Sequence, residues 1–277
     1  MFTLKFKGFA ARAGAVTLLS AGMIAGFAGA PATSQTPSTP STLNYTVMGD
    51  SYSAGSGAGN NTEVGPCFQS TNGYGNDIAA ATGATMTNIA CSGATTAQVL
   101  AGEVPLLPSN TALITITAGG NDVAWTTAVG TCLIATVNAC KAAVANSIYL
   151  MTKLPKSATA MLKAIKAKAP HARVLYVGYP RLFEPQNMTT PPFTATQVAG
   201  VKLLNNAANL LNGVLAVTAL SNGVAFIPVA PRFSGHAMPS AVPWLNYPAP
   251  FGFNNFPFHP NATGYQDGYA ASIMPYL

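Results

Sequence analysis

Short apolar runs that alternate with helix-like stretches are the feature that most narrows the folds open to this chain. Five such runs predict strands, at residues 43–48, 86–90, 112–120, 172–180 and 223–229. Helical patterns predict helices at residues 72–82, 142–169, 194–220 and 262–274. Strands connected through helices form parallel sheets. The pattern therefore predicts an α/β fold built on a five-stranded, mainly parallel sheet.

The N-terminal segment differs in composition from the rest of the chain. A basic start precedes an apolar run over residues 13–27, which ends at the small residues Ala-Gly-Ala. This order is typical of a signal peptide, which we place at residues 1–30; a retained membrane anchor is the alternative. The Pro/Ser/Thr-rich residues 31–42 predict a flexible linker. Residues 43–277 are then one domain, with no second boundary.

Charge is scarce, at 7% of residues, which favours a secreted protein over a cytosolic one. Without Lys5, Lys7 and Arg12 of the leader, ten basic residues face seven acidic ones. Five of the ten lie between Lys153 and Lys168, a pattern typical of a solvated helix face. We therefore expect no nucleic-acid partner.

The four cysteines are an even number in a chain that we expect to be exported, which predicts disulfides. Of the three connectivities, we favour Cys67–Cys91 and Cys132–Cys140, because both close local loops. A zinc site is the alternative, but no CxxC pair or histidine cluster supports it. We expect neither a metal nor a cofactor.

Polar and glycine-rich turns follow the first three predicted strands. They are the stretches GDS, CSG and GGND, in which Ser51, Gly93 and Asn121 are the candidates for chemistry. Because ligands of open parallel sheets bind beyond the carboxyl ends of the strands, we expect these turns to lie at one edge. A serine there is a nucleophile only if a base takes its proton.

Three histidines could supply that base. His171 lies at the start of a strand, on the wrong edge, and His236 lies in a long Pro-rich loop. His259 directly precedes a proline and the predicted last helix, and we expect it to be the base. The backbone N–H groups of Ser51 and Gly93 and the side-chain amide of Asn121 would then bind the oxyanion.

Four blocks, GDSYSAG, ACSGATT, GGND and HPNATGY, in this order, make the chain resemble the SGNH hydrolases, also called GDSL lipases and esterases. The resemblance is to their secreted actinobacterial branch and covers roughly residues 43–275. It implies a three-layer α/β/α, flavodoxin-like fold and cofactor-independent hydrolysis of carboxylic esters. Fatty-acyl esters are the expected substrates. A carbohydrate acetyl esterase and a non-catalytic, carbohydrate-binding surface protein on the same scaffold are the alternatives.

One position departs from that family. The Asp that usually stands three residues before the histidine is replaced by Phe256, and no acid lies within seventy residues before His259. Some members of this branch orient the imidazole with a main-chain carbonyl. We expect the same here, a Ser51–His259 dyad with the carbonyl of Phe256 or of a neighbour such as Asn255. An inactive member of the family is the alternative.

The loop from Arg232 to Phe258 is crowded with proline and aromatic residues and leads to the histidine. Apolar aromatics beside a base are typical of an acyl-chain wall or a transient contact with a lipid surface. The candidates for that wall are Met238, Trp244 and Leu245, and ordinary loop packing is the alternative. We expect the protein to be a monomer.

Overall fold

The computed structural model describes residues 42–59, 63–189, 193–247 and 256–277. The predicted signal peptide, and all of the predicted linker but its last residue, lie outside the described residues. From residue 42 onward, the described residues belong to one compact unit.

A five-stranded sheet lies at the centre of this unit, and all of its neighbouring strands are parallel. The strands are β1 (Asn44–Gly49), β4 (Thr85–Asn88), β5 (Leu113–Thr117), β6 (Arg173–Val177) and β7 (Ala225–Ile227). Their order is β4-β1-β5-β6-β7. Two short strands, β2 (Glu63–Val64) and β3 (Gln69–Ser70), form a separate antiparallel hairpin.

The strands β1 and β5 at the heart of the sheet are almost entirely buried, because helices cover both faces of the sheet. Every residue of β5 is buried, as are the last five residues of β1. Polar side chains inside the sheet pair with one another: Tyr45 bonds Thr115 at 2.7 Å, and Thr46 bonds Thr111 at 2.9 Å. Such pairing removes the penalty of burying them alone.

Helices cover both faces of the sheet. The α-helices are α1 (Ser51–Ala54), α2 (Tyr74–Thr82), α3 (Thr96–Gln98), α4 (Trp125–Ile134), α5 (Val137–Met151), α6 (Leu154–Lys168), α7 (Ala195–Ser221) and α8 (Ala271–Ile273). Single π-helical segments occupy Val99–Glu103 and Gly264–Ala270, and short 3₁₀ turns occupy Val104–Leu106, Asn121–Val123, Pro185–Asn187 and Met274–Tyr276. The segment Gly264–Ala270 packs on α2, whereas α6 and α7 pack together with α4 and α5 beside them. The three-layer α/β/α prediction is confirmed.

The helices differ from the sequence prediction in two places. The helix predicted over residues 142–169 is two helices, α5 and α6, and α4 was not predicted at all. Pro155 explains the break, because it stands in the first turn of α6, where its missing N–H is tolerated. The apolar helix α7 is long enough to cross a membrane, but residues along it are buried in the core.

Both predicted disulfides are present. Cys67–Cys91 joins the β2–β3 hairpin to the segment that follows β4, and Cys132–Cys140 joins α4 to α5. The first bond anchors the chain two residues before Gly93.

The order of strands also places a topological switch between β1 and β5, since the chain passes from β1 to β4 on one side and then to β5 on the other.

Candidate active site

Ser51 begins α1 immediately after β1, at the switch point. Gly49 makes that exit possible, because its φ of +113° and the approach of Thr117 leave no room for a side chain: a Cβ would lie 1.9 Å from the Thr117 carbonyl oxygen. Asp50 is the N-cap residue of α1. Ser51 is only 8% exposed and lines a cavity at the carboxyl ends of the strands.

The Asp50 carboxylate is held by three donors rather than by the histidine. Its Oδ1 accepts from the Thr117 hydroxyl at 2.6 Å and from the Tyr52 N–H at 3.1 Å, and its Oδ2 accepts from the Tyr179 hydroxyl at 2.5 Å. Burial raises the pKa of Asp50 to about 6, although these hydrogen bonds lower it. Asp50 therefore stabilises the turn that carries Ser51.

His259 lies against the serine. Its Nε2 is 2.7 Å from Ser51 Oγ, and its Nδ1 is 3.1 Å from the carbonyl oxygen of Pro257. Because a carbonyl only accepts, the ring carries its proton on Nδ1 and offers Nε2 to the serine hydroxyl. Burial lowers the pKa of His259 to about 4, although the Pro257 and Phe256 carbonyls favour the charged ring. The imidazole is therefore neutral at pH 7.

The carbonyl at hydrogen-bond distance from the ring is that of Pro257, a neighbour of Phe256, whereas we expected the carbonyl of Phe256 or of a neighbour such as Asn255. The Phe256 carbonyl accepts the main-chain N–H of His259 at 3.3 Å, which closes a turn and brings the next carbonyl to the ring. Phe256 contributes instead a secondary influence on the ring and an edge-to-face ring contact with it at 5.8 Å. Asn255 lies outside the described residues.

The three predicted oxyanion donors face the same cavity as the serine. Gly93 has a φ of +83°, and no atom of the described ranges lies within 4 Å of the position that a Cβ would take. The Asn121 Nδ2 donates to the Ala94 carbonyl at 3.0 Å, so one amide hydrogen orients the group and the second remains for a ligand.

The side chains of Thr96 and Tyr179, which the sequence analysis did not identify, connect these turns to one another. Thr96 donates its N–H and its hydroxyl to the carboxylate of Asp122, at 2.9 and 2.5 Å, which joins the turn of Gly93 to the turn of Asn121. The Tyr179 hydroxyl accepts from the Gly120 N–H at 3.1 Å while it donates to Asp50.

The histidine side also depends on residues that sequence reasoning missed. Asn246 pairs through its backbone with Phe258 and His259, both at 2.8 Å, and its side chain donates to the Gly57 carbonyl at 2.8 Å. The Tyr52 hydroxyl donates to the Phe258 carbonyl at 2.8 Å. Gly57 has a φ of +90°, and a Cβ there would lie 3.0 Å from the Cβ of His259. Gly57, the last residue of the GDSYSAGSG stretch, is the sequence signal that could have indicated this close approach.

The other two histidines take no part. His236 stacks on Trp244 at 3.8 Å, and its Nδ1 meets the Val242 carbonyl at 2.8 Å. His171 lies exposed just before β6, at the amino end of the strands.

The cavity beside Ser51 has a volume of about 340 Å³ and is mostly apolar. The expected wall of Met238, Trp244 and Leu245 is not part of it among the described residues, because Met238 and Leu245 are buried in the core and Trp244 packs on Phe233. The apolar lining comes from α4, α7 and the segments around β6 and the histidine, namely Trp125, Val129, Pro180, Leu182, Ala208, Leu211, Phe256, Pro257 and Phe258.

Within the described ranges, no group of three or more His, Cys, Asp or Glu side chains is placed to hold a metal ion.

Comparison with known proteins places the chain in a family. Residues 47–266 match the family described as GDSL-like Lipase/Acylhydrolase. A lipase of Streptomyces rimosus is 36% identical over 229 residues, which are 82% of this chain and 84% of that protein. Lipase 1 of Streptomyces coelicolor is 35% identical over 241 residues, 86% of this chain and 88% of that protein.

Solved structures give the same result. The extracellular lipase from Streptomyces rimosus superposes with a TM-score of 0.77 at 33% identity, and phospholipase A1 from Streptomyces albidoflavus NA297 with 0.78 at 32%. Each comparison covers 85% of this chain and all of the other.

Proposed function

The chain belongs to the GDSL-like Lipase/Acylhydrolase family and is a carboxylic ester hydrolase, and on that premise we propose that it cleaves fatty-acyl esters through an acyl-enzyme on Ser51. The observation that carries the proposal is the 2.7 Å separation between Ser51 Oγ and His259 Nε2. A neutral imidazole at that distance can take the hydroxyl proton as the oxygen attacks.

The reaction proceeds in two halves. Ser51 Oγ attacks the ester carbonyl while its proton passes to Nε2, and the N–H groups of Ser51 and Gly93 and the amide of Asn121 donate to the oxyanion. The imidazolium then gives the proton to the leaving alcohol, and the acyl group remains on Ser51. In the second half, His259 takes a proton from water as the water oxygen attacks the acyl carbonyl. The bond between the acyl carbon and Ser51 Oγ then breaks, the imidazolium returns the proton to Ser51 Oγ, and the carboxylic acid leaves.

The Pro257 carbonyl replaces the carboxylate of a Ser-His-Asp triad. It selects the tautomer with the proton on Nδ1, as the carboxylate does. A dipole stabilises the imidazolium less than a full negative charge, so the dyad relies more on the oxyanion donors. Asp267, the acid that follows the histidine by eight residues, is exposed, and the ring's Nδ1 meets the Pro257 carbonyl instead.

An apolar cavity supports the assignment of acyl substrates. Trp125, Leu182 and Leu211 line the space beside the serine, and such a surface gains free energy when it covers a hydrocarbon chain. The relatives named lipase and phospholipase A1 support the same class.

Secretion is part of the proposal. It is supported by the predicted signal peptide over residues 1–30 and by the two disulfides, which persist in oxidising compartments. The S. rimosus relative of known structure is an extracellular lipase. We further propose that residues 31–42 link the leader to the catalytic domain.

Replacement of the nucleophile tests the function. Ser51→Ala should reduce the hydrolysis of p-nitrophenyl acyl esters by at least about a thousandfold, because no other group replaces the attacking oxygen. Ser221→Ala, at the exposed end of α7, is the matched control and should retain full activity. A fluorophosphonate probe should label Ser51 in the wild type and nothing in Ser51→Ala. Undiminished turnover by Ser51→Ala rejects the proposal, and a protein that resists the probe but binds cell-wall polymer supports the non-catalytic alternative.

A further inference from the structure

The cavity beside Ser51 continues as a groove between α4 and α7. Trp125, Val129 and Gly130 line it from α4, and Ala208 and Leu211 line it from α7. Because α4 starts four residues after Asn121, the groove leads away from the oxyanion donors along the helix axis. Gly130 is the residue of α4 farthest from Asn121 that still lines the groove.

Gly130 is not required by the backbone or by the packing of the protein. It lies inside a helix, where glycine is less favourable than alanine, and its φ is not positive. Among the residues that the structure describes, no atom lies within 4 Å of the position that its Cβ would take. Gly200 of α7 is different, since a Cβ there would lie 2.9 Å from the Cys132 carbonyl oxygen. The missing side chain of Gly130 therefore opens space that the described part of the protein does not fill.

The distance along α4 determines which substrates reach that space. Trp125 and Gly130 are five residues apart, which corresponds to about 7.5 Å along a helix. Residues 125, 126, 129 and 130 all line the cavity, over an arc of about 140° around the helix, so a chain that passes Trp125 can continue towards Gly130. An acetyl group, whose single methyl carbon stays at the reacting carbonyl, does not extend that far.

We propose that Gly130 determines the length of the acyl chain that this enzyme accepts, by leaving the groove between α4 and α7 open for medium and long chains. The proposal rests on the ester hydrolysis proposed above and specifies its substrates. A large side chain at position 130 closes the groove beyond Trp125 and leaves the serine, the histidine and the oxyanion donors untouched.

Kinetics over a series of p-nitrophenyl esters from acetate to palmitate test this. Gly130→Leu should keep kcat/KM for acetate and butyrate within about twofold of the wild type and should lower kcat/KM for laurate and palmitate at least tenfold. Gly213→Leu is the matched control, because Gly213 is also inside a helix with open space at its Cβ but lies on the exposed side of α7. Its profile over chain length should equal that of the wild type.

Direct binding of laurate, measured by calorimetry, separates this proposal from the catalytic one. Wild type and Gly213→Leu should bind laurate equally, and Gly130→Leu at least tenfold more weakly. If Gly130→Leu does not fold, Gly130→Ala should show a smaller loss of the same selectivity. Equal losses at every chain length, or laurate binding unchanged by Gly130→Leu, overturn the role of Gly130. If no hydrolysis depends on Ser51, the proposed ester hydrolysis is overturned instead. The laurate binding experiment still shows whether Gly130 keeps the groove open for an acyl chain.

Discussion

The nucleophile turn, residues 49–55, and the histidine segment, residues 256–260, meet at one hydrogen bond but are held in place by different means. Gly49, Asp50 and Ser53 of the nucleophile turn are bonded to β5, to Glu103 and to Tyr179, all of them buried. The histidine segment belongs to no helix or strand. Its bonds go mainly to a loop residue, Asn246, and to Tyr52.

Ser51 and His259 are therefore held in place by unequal sets of contacts. The nucleophile turn is positioned by the sheet, because Asp50 and Ser53 are hydrogen-bonded to Thr117 of the neighbouring strand β5. The base inherits its position from a few loop contacts and from aromatic packing, such as Tyr52 on His259 at 4.9 Å between ring centroids. We therefore expect substitutions around Ser51 to reduce mainly stability, and those around His259 to reduce mainly turnover.

Removal of the Asp50 carboxylate should have the largest effect. Asp50→Ala leaves the hydroxyl of Tyr179 and the N–H of Tyr52 without their acceptor, and we expect the free energy of unfolding to fall by roughly 4 kcal/mol, with activity lost as well. Urea denaturation measures the change. Asp267→Ala, on the surface, should stay within about 0.5 kcal/mol of the wild type. If the free energy of unfolding of Asp50→Ala changed as little, the hydrogen bonds of Asp50 would not be what holds the nucleophile turn on the sheet.

Neutralisation of Glu103 should have the next largest effect. Its Oε2 accepts from the Gly49 N–H at 2.6 Å, its Oε1 is buried without a partner among the described residues, and burial raises its pKa to about 8. In the unfolded chain this carboxyl ionises near the ordinary value of 4.5. The wild type therefore loses stability as the pH rises from about 4.5 to about 8, by a few kcal/mol.

Glu103→Gln keeps an oxygen for the Gly49 N–H and has no such loss. Its Tm should exceed that of the wild type at pH 8, and the difference should shrink towards pH 5. Parallel curves of Tm against pH for the two proteins would show that this carboxyl ionises normally.

The ionisation of His259 predicts how kcat/KM depends on pH. His259 is the base only while neutral, so with a pKa of about 4 the acid limb of kcat/KM should be centred near pH 4. The ionisation of His259 alone should leave about nine-tenths of the full kcat/KM at pH 5, where a histidine with a pKa of 6.5 would leave about 3%. Asp50 titrates near 6 and would add at most a partial step. Complete loss of activity centred at pH 6.5 would contradict the burial of the ring.

The smallest effect should come from Asn246. Asn246→Ala removes the bond from its side chain to the Gly57 carbonyl but keeps its backbone bonds to Phe258 and His259. We expect a loss of about 1 kcal/mol in stability and up to tenfold in kcat, with KM unchanged. Asn187→Ala, which loses an exposed bond to the Pro239 carbonyl, is the control. A change in KM alone would place Asn246 in substrate binding instead.

Local signals in the sequence account for much of the fold. The five strands lie where the apolar runs predict them, with ends that differ by a few residues. Burial explains the apolar character of β5, which is buried at every residue, whereas the edge strand β4 is exposed or half-buried. The α5–α6 break was missed although Pro155 was visible, since a proline in a helical stretch permits either a kink or a new start. Helix α4 was missed because its glycine and three threonines weaken the helical pattern.

For the site, the sequence alone determined which chemical groups are available: a serine, two glycine turns and an asparagine after successive strands, and three histidines with one before a final helix. Strand order then makes their common edge predictable, since parallel strands end together. The separation of the two reacting atoms, the choice of Pro257 over Phe256 and the support from Asn246, Tyr52 and Glu103 were decided only by the tertiary structure. These contacts join residues up to two hundred positions apart, and no local pattern encodes them, because a carbonyl or a buried hydroxyl finds its partner only after the chain has packed.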